Sequence, residues 1–133
     1  MKNAFVAAAI LCCTQVSASV NPLVKQQVTI FKILNANPTF SFLRGNKTPN
    51  GYHLQWRLAA TGGVQRFIIE STYEDPGDQY SVWQIKGMVN LTNGVNKFSD
   101  SNMLPGIINY RITALGKDNM PLAVSDIFTT TIQ

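Results

Sequence analysis

The sequence predicts an all-β protein in which seven antiparallel strands form two sheets packed face to face. Three observations lead there. Near the C-terminal end, Leu104-Pro105-Gly106 runs into Ile107-Ile108-Asn109-Tyr110-Arg111-Ile112-Thr113-Ala114. Ile108, Tyr110, Ile112 and Ala114 then fall on one side and Asn109, Arg111 and Thr113 on the other, the pattern of a half-buried antiparallel strand. Clusters of turn-forming residues recur along the chain at strand-length intervals. No segment from Phe40 onward carries a convincing long helical periodicity, and seven short alternating runs need two layers to bury their apolar faces.

The elements follow in order. Phe40 and Phe42 alternate with Ser41 and Leu43, and the connection ends in Thr48-Pro49-Asn50-Gly51, where proline presets its own φ and Asn-Gly accepts a tight turn. The return strand places Tyr52, Leu54, Trp56 and Leu58 on one face and His53, Gln55 and Arg57 on the other. A third strand, Val64 to Tyr73, sets Phe67 and Ile69 against Arg66 and Glu70. Glu74-Asp75-Pro76-Gly77-Asp78 ends it as a turn. A fourth, about Tyr80 to Val89, carries Trp83 and Ile85 on one side, and Asn90 to Asn96 is a polar break. A fifth, Lys97-Phe98-Ser99, stops at Asp100, and the sixth is the run above. Gly116 to Pro121 is a hairpin loop, and the seventh strand is Ala123 to Ile132, rich in β-branched residues at Thr129-Thr130-Thr131.

The N-terminus reads as a leader. Met1-Lys2-Asn3 is short and basic, Ala4 to Cys13 is apolar, and Thr14-Gln15-Val16-Ser17-Ala18 ends in small residues, so residues 1–18 are expected to be a signal peptide cleaved after Ala18. The apolar stretch is about half the roughly 20 residues that cross a bilayer, so stable membrane insertion is not expected. Cys12 and Cys13 raise the alternative of a lipoprotein. Cys12 follows Ile10-Leu11 and Cys13 follows another cysteine, which is the wrong context for that processing. Both cysteines lie in the leader, so the mature chain is expected to hold together in an oxidising compartment without a disulfide. The reading is an exported protein, periplasmic, on the cell surface or extracellular. Residues 19–38 form an N-terminal extension, in which Val28 to Leu34 suits an extra strand while Leu23, Gln27, Ile30 and Leu34 also sit at helical spacing; the strand is preferred. Residues 39–133 are one domain, large enough to bury a core.

The formal charge of +4 is spread over scattered basic residues, which makes nucleic acid a poor first partner. Tyr110 is expected to tuck its ring in after the Leu104 turn and bond its hydroxyl to upstream backbone, a tyrosine corner, and Trp56 to fill the space between the sheets.

From Phe40 to Gln133 the chain resembles a single fibronectin type III domain, an immunoglobulin-like sandwich, in the form common in secreted proteins of Bacteroidetes-like bacteria. The resemblance rests on Trp56 in the second strand, Leu104 and Tyr110 six residues apart, Ala114 closing that strand, and the segments Arg66-Phe67-Ile68-Ile69-Glu70-Ser71 and Asn109-Tyr110-Arg111-Ile112. It implies structural roles for Trp56, Leu104, Tyr110 and Ala114, and a scaffold for binding or spacing rather than catalysis. Two departures stand out. Pro105 directly follows Leu104, where the family pattern has one residue between, and the loop before the last strand is Gly116-Lys117-Asp118-Asn119-Met120-Pro121, without Arg-Gly-Asp.

Chemistry of other kinds finds little support. His53, the one histidine, lies on the face opposite Leu54 and Trp56 and is expected to meet solvent, which leaves a serine or cysteine nucleophile without a base. No cysteine of the mature chain and one histidine do not make a zinc site, so neither metal nor cofactor is expected. Glu74, Asp75 and Asp78 suit a tight turn better than a calcium loop or a glycosidase pair. Asn46-Lys47-Thr48 and Asn90-Leu91-Thr92 match the glycosylation triplet and would be chance matches in a bacterium. Tyr73, Tyr80 and Trp83 flank the acidic turn and are the candidates for a sugar-stacking strip, although Trp83 and one tyrosine are expected in the core because Trp83 shares a face with Ile85. The sequence thus points to a non-enzymatic module for protein interaction, adhesion or surface assembly. The alternatives are a small carbohydrate-binding module using those aromatics, and a subunit that assembles by exchanging its N-terminal strand. The ligand, protein or glycan, and the oligomeric state are left open.

Overall fold

The computed structural model describes residues 37–133. The expected leader and the Val28 to Leu34 segment, with the strand exchange built on it, lie outside the described residues. Eight strands form two antiparallel sheets stacked as a sandwich. The smaller sheet orders β1 (Thr39–Thr48), β2 (Gly51–Ala60) and β5 (Asn96–Asp100) as β1-β2-β5. The larger runs β4 (Gln84–Asn90), β3 (Arg66–Thr72), β6 (Gly106–Leu115), with β7 (Pro121–Val124) and β8 (Phe128–Ile132) both pairing β6.

The count is eight rather than seven because the expected last strand is broken by one extra residue. Thr113 pairs with Val124 and Tyr110 with Phe128, so Arg111 and Ile112 on β6 face three residues, Ser125 to Ile127. Ser125 holds the break together. Its N–H donates to the Ile112 carbonyl and its Oγ accepts from the Ile112 N–H, each at 2.9 Å. A second irregularity, at Ser41, turns Phe40 and Leu43 inward but Phe42 outward, because Phe40 pairs with Leu58 while Phe42 pairs with Arg57. The alternation expected for Phe40 and Phe42 on one face is corrected by this slip. The hairpin between β1 and β2 closes through Pro49-Asn50, with the positive φ carried by Gly51 at 148°.

The interior lies between the inward faces of β2, β3 and β6. Tyr52, Leu54, Trp56 and Leu58 meet Phe67, Ile69, Ile108, Tyr110, Ile112 and Ala114. Trp56 and Tyr110 come from opposite sheets and have no exposed surface, and the indole meets Phe67 edge-on at 5.3 Å. Truncating such a residue costs about 3–5 kcal/mol.

Beside this core a polar clamp ties the sheets along one side. The Tyr110 hydroxyl donates to Asp100 Oδ2 at 2.9 Å, and Lys86 Nζ lies 3.2 Å from the same oxygen while donating to the Asn102 carbonyl at 2.8 Å. Burial, and then the bond to Asp100, push the Tyr110 hydroxyl well above its ordinary value, so it remains a donor at every working pH. The tyrosine-corner expectation is corrected in its partner: the hydroxyl bonds a carboxylate ten residues upstream, not backbone. Lys86 reaches the clamp because it is the extra residue of a bulge, with Ile69 paired to Gly87 and Glu70 to Ile85. Gly87 is required there, since a Cβ would come within 2.5 Å of the Phe98 ring.

Candidate functional site

The outward face of the larger sheet brings together residues that alternation had separated from the core. In register, Glu70 sits beside Arg111 on one side and Ile85 on the other, and Ile68 sits between Met88 and Thr113, which in turn pairs with Val124. Because side chains alternate across a strand, these all point away from the interior.

At the centre Arg111 Nε and Nη2 donate to the two carboxylate oxygens of Glu70 at 3.0 and 3.1 Å, and Thr113 Oγ1 adds a third bond to Glu70 at 2.9 Å. Such a two-pronged pair is among the stronger polar interactions. Burial raises the Glu70 pKa, but the bonds from Arg111 and Thr113 and the guanidinium charge outweigh it, so the carboxyl titrates below its ordinary 4.5. The Arg111 guanidinium carbon lies 4.1 Å from the centre of the Trp83 ring. Trp83, from the segment before β4, Arg111 on β6 and Glu70 on β3 thus form a continuous ladder of contacts. Around it stand exposed apolar side chains: Ile85 at 65%, Met88 at 53% and Val124 at 56%.

The three aromatics singled out in the sequence have different fates. Trp83 precedes β4, is half-buried, and has one ring face covered by Arg111. The expectation that it belongs to the core is corrected, and Ile85, whose shared face was the reason for it, stands in solvent. Tyr73 is exposed, and its hydroxyl both accepts from the Leu104 N–H at 2.7 Å and donates to the Leu104 carbonyl at 3.2 Å. Tyr80 is 80% exposed. The expected structural role of Leu104 is corrected as well: its side chain is 69% exposed, and Tyr73 holds its backbone in place. Ala114 is fully buried.

The acidic turn is occupied with its own backbone. Asp75 Oδ1 accepts from the Gly77 N–H, Asp78 Oδ1 from the Tyr80 N–H, both at 2.9 Å, and Glu74 Oε2 from the Val82 N–H at 2.7 Å. Among the described residues there is no group of three or more His, Cys, Asp or Glu side chains placed to hold a metal ion. His53 is half-buried on the outer face of the smaller sheet, with Nδ1 2.8 Å from Ser99 Oγ.

No protein-family model matches the chain, and no curated protein matches it. Among solved structures, it is similar to pectate lyase PelI from Erwinia chrysanthemi in complex with tetragalacturonic acid, with a TM-score of 0.53 and 17% identity over 71% of this chain and 28% of that one. The chain spans about a quarter of the length of that lyase, and the likeness is one of fold. Among the described residues no helix is long and apolar enough to cross a membrane.

The residues missed by the sequence reading are Glu70, Arg111 and Thr113 as a unit. Each falls on the polar face of its strand, and the opposite charges at Glu70 and Arg111 are plain along the chain. What was lacking was that the third and sixth strands are neighbours, which alone sets these residues side by side.

Proposed function

We propose that the protein is an exported, non-enzymatic binding module that meets a protein partner through the outward face of its larger sheet. The observation that carries this reading is the setting of the Trp83–Arg111–Glu70 ladder among Ile85, Met88 and Val124. The ladder fixes side chains that would otherwise lose freedom on binding, and the exposed apolar groups around it supply the area a partner would remove from water. The fibronectin type III resemblance supports the same reading, and Trp56 on the second strand and Tyr110 on the sixth, both without exposed surface, are in keeping with it. Sugar stacking on Trp83 is less favoured, because one face of the indole carries Arg111.

The test is to place a photo-crosslinking residue at Ile85 in the full chain, produced in its own host, and to identify what it captures. A discrete protein partner is expected, with capture lost on adding Met88→Glu, an exposed change that leaves unfolding unaltered. Capture that persists undiminished in the Met88→Glu chain, or that occurs equally from a crosslinker at Lys117 in the loop before β7, contradicts the assignment.

A further inference from the structure

The outward face of the smaller sheet has the opposite character. Its rungs pair Phe42 with Arg57, Arg44 with Gln55, Gln55 with Lys97, Asn46 with His53, and His53 with Ser99. Arg44, Arg57 and Lys97 are all exposed, and none forms an ion pair among the described residues, where the two such pairs are Lys86 with Asp100 and Arg111 with Glu70. Among the described residues no acidic side chain shares this face. Apart from Glu70 and Asp100, the chain's carboxylates are confined to the turn between β3 and β4 and to Asp118 and Asp126. Neighbouring strands are about 4.8 Å apart and alternate residues about 7 Å apart along a strand, so the Cα atoms that carry the three cations form a triangle with sides of about 8–10 Å. Among the described residues no carboxylate on the sheet's outer face offsets their mutual repulsion.

Arg44 is also set in place. Its Nε and Nη2 donate to Gln55 Oε1 at 3.2 and 3.0 Å, and its guanidinium carbon lies 4.9 Å from the centre of the Phe42 ring. The irregularity at Ser41 is what turns Phe42 outward to form that shelf. A neutral amide and a phenyl ring order the guanidinium without cancelling its charge, so an anion arriving there has less side-chain entropy to remove. Between and beside the cations lie the Asn46 amide, the amide nitrogen of Gln55 and the Ser99 hydroxyl that also pairs with His53, groups that bond to sugar hydroxyls.

We propose that this face binds an acidic polysaccharide, a polymer in which carboxylates recur at regular intervals along a hydroxyl-rich chain. The cations take the carboxylates and the amides take the hydroxyls between them. An open three-stranded face suits an extended chain lying across it. Nucleic acid is disfavoured, because single strands bind by stacking bases on free aromatic rings, and the ring on this face, Phe42, lies under Arg44. The surface is separate from the ladder on the other sheet.

The experiment measures binding of alginate, a polyuronate, to the purified full chain by calorimetry at two salt concentrations. Expected is binding that weakens about tenfold as salt rises from low to physiological. Arg44→Gln, Arg57→Gln and Lys97→Gln together are expected to weaken it at least about tenfold with an unchanged melting temperature, whereas Lys117→Gln, off this face, leaves it unaltered. If the triple variant does not fold, Lys97→Gln alone is expected to weaken binding about threefold. Alginate with its carboxylates esterified is expected not to bind. The proposal is overturned by absence of binding, by esterified alginate binding equally well, or by cation variants that bind as the parent does. Single-stranded DNA or polyglutamate binding as tightly as alginate would overturn the assignment to a polysaccharide.

Discussion

Arg111 and Arg44 stand on the two outer faces of the same sandwich, each over an aromatic ring and each held by two hydrogen bonds, yet their charges meet different ends. Arg111 is held by a carboxylate, Glu70, and lies over Trp83; Arg44 is held by an amide, Gln55, and lies over Phe42. The first arrangement consumes the charge and leaves an apolar surround. The second orders the side chain and leaves the charge free. The acceptor opposite an arginine, more than the arginine, decides whether a sheet face is structural or electrostatically active.

The support common to both faces is the shared interior. Trp56→Ala empties the contact with Phe67 and is expected to cost about 3–5 kcal/mol in chemical denaturation, weakening both faces together. A variant that loses only one face would show that the two sheets do not depend on a shared interior. Next is Gly87→Ala, which drives a methyl into Phe98 between the sheets and is expected to destabilise by about 1–3 kcal/mol.

The acid limb of the stability profile sharpens the contrast. The folded pKa of Glu70 lies below its ordinary 4.5, so its contribution is fully present above that value and is lost as pH falls through the lower, folded one. Glu70→Gln is expected to lower stability at neutral pH by about 1–2 kcal/mol and to flatten the acid limb, whereas Gln55→Ala on the other face leaves that limb as it was. Smallest is Trp83→Ala, expected to cost about 0.5–1 kcal/mol through loss of the guanidinium contact. Tryptophan fluorescence of the parent is expected to respond to Arg111→Ala for the same reason.

Much of the fold was legible because period-two alternation is a local property. The run from Ile108 to Ala114, the hairpin at Pro49-Asn50-Gly51 and the buried Trp56 and Tyr110 needed no knowledge of which strands pair. The errors fall where one residue breaks the period. The slip at Ser41 sends Phe42 outward, the bulge at Lys86 turns a lysine inward to Asp100 while Ile85 faces solvent, and the break at Ser125 splits the last strand. Nothing in the local composition marks those three positions, since a bulge is set by the partner strand. The Leu104 side chain was misplaced for a related reason: Tyr73, from another strand, anchors the turn through backbone groups. The sites were less legible than the fold because each is a cross-strand row, and a row exists only once strand order is known. The scattered cations at Arg44, Arg57 and Lys97 look unremarkable along the chain and become a cluster only on the sheet.

The unfolding free energies of Arg111→Ala and Arg44→Ala at neutral pH and low salt separate the two roles. Arg111→Ala strands a mostly buried carboxylate and is expected to cost about 2 kcal/mol, while Arg44→Ala is expected to change stability by no more than about 0.5 kcal/mol. Equal losses from the two substitutions would contradict the claim that one face uses its arginine to hold itself together and the other keeps it free for a partner.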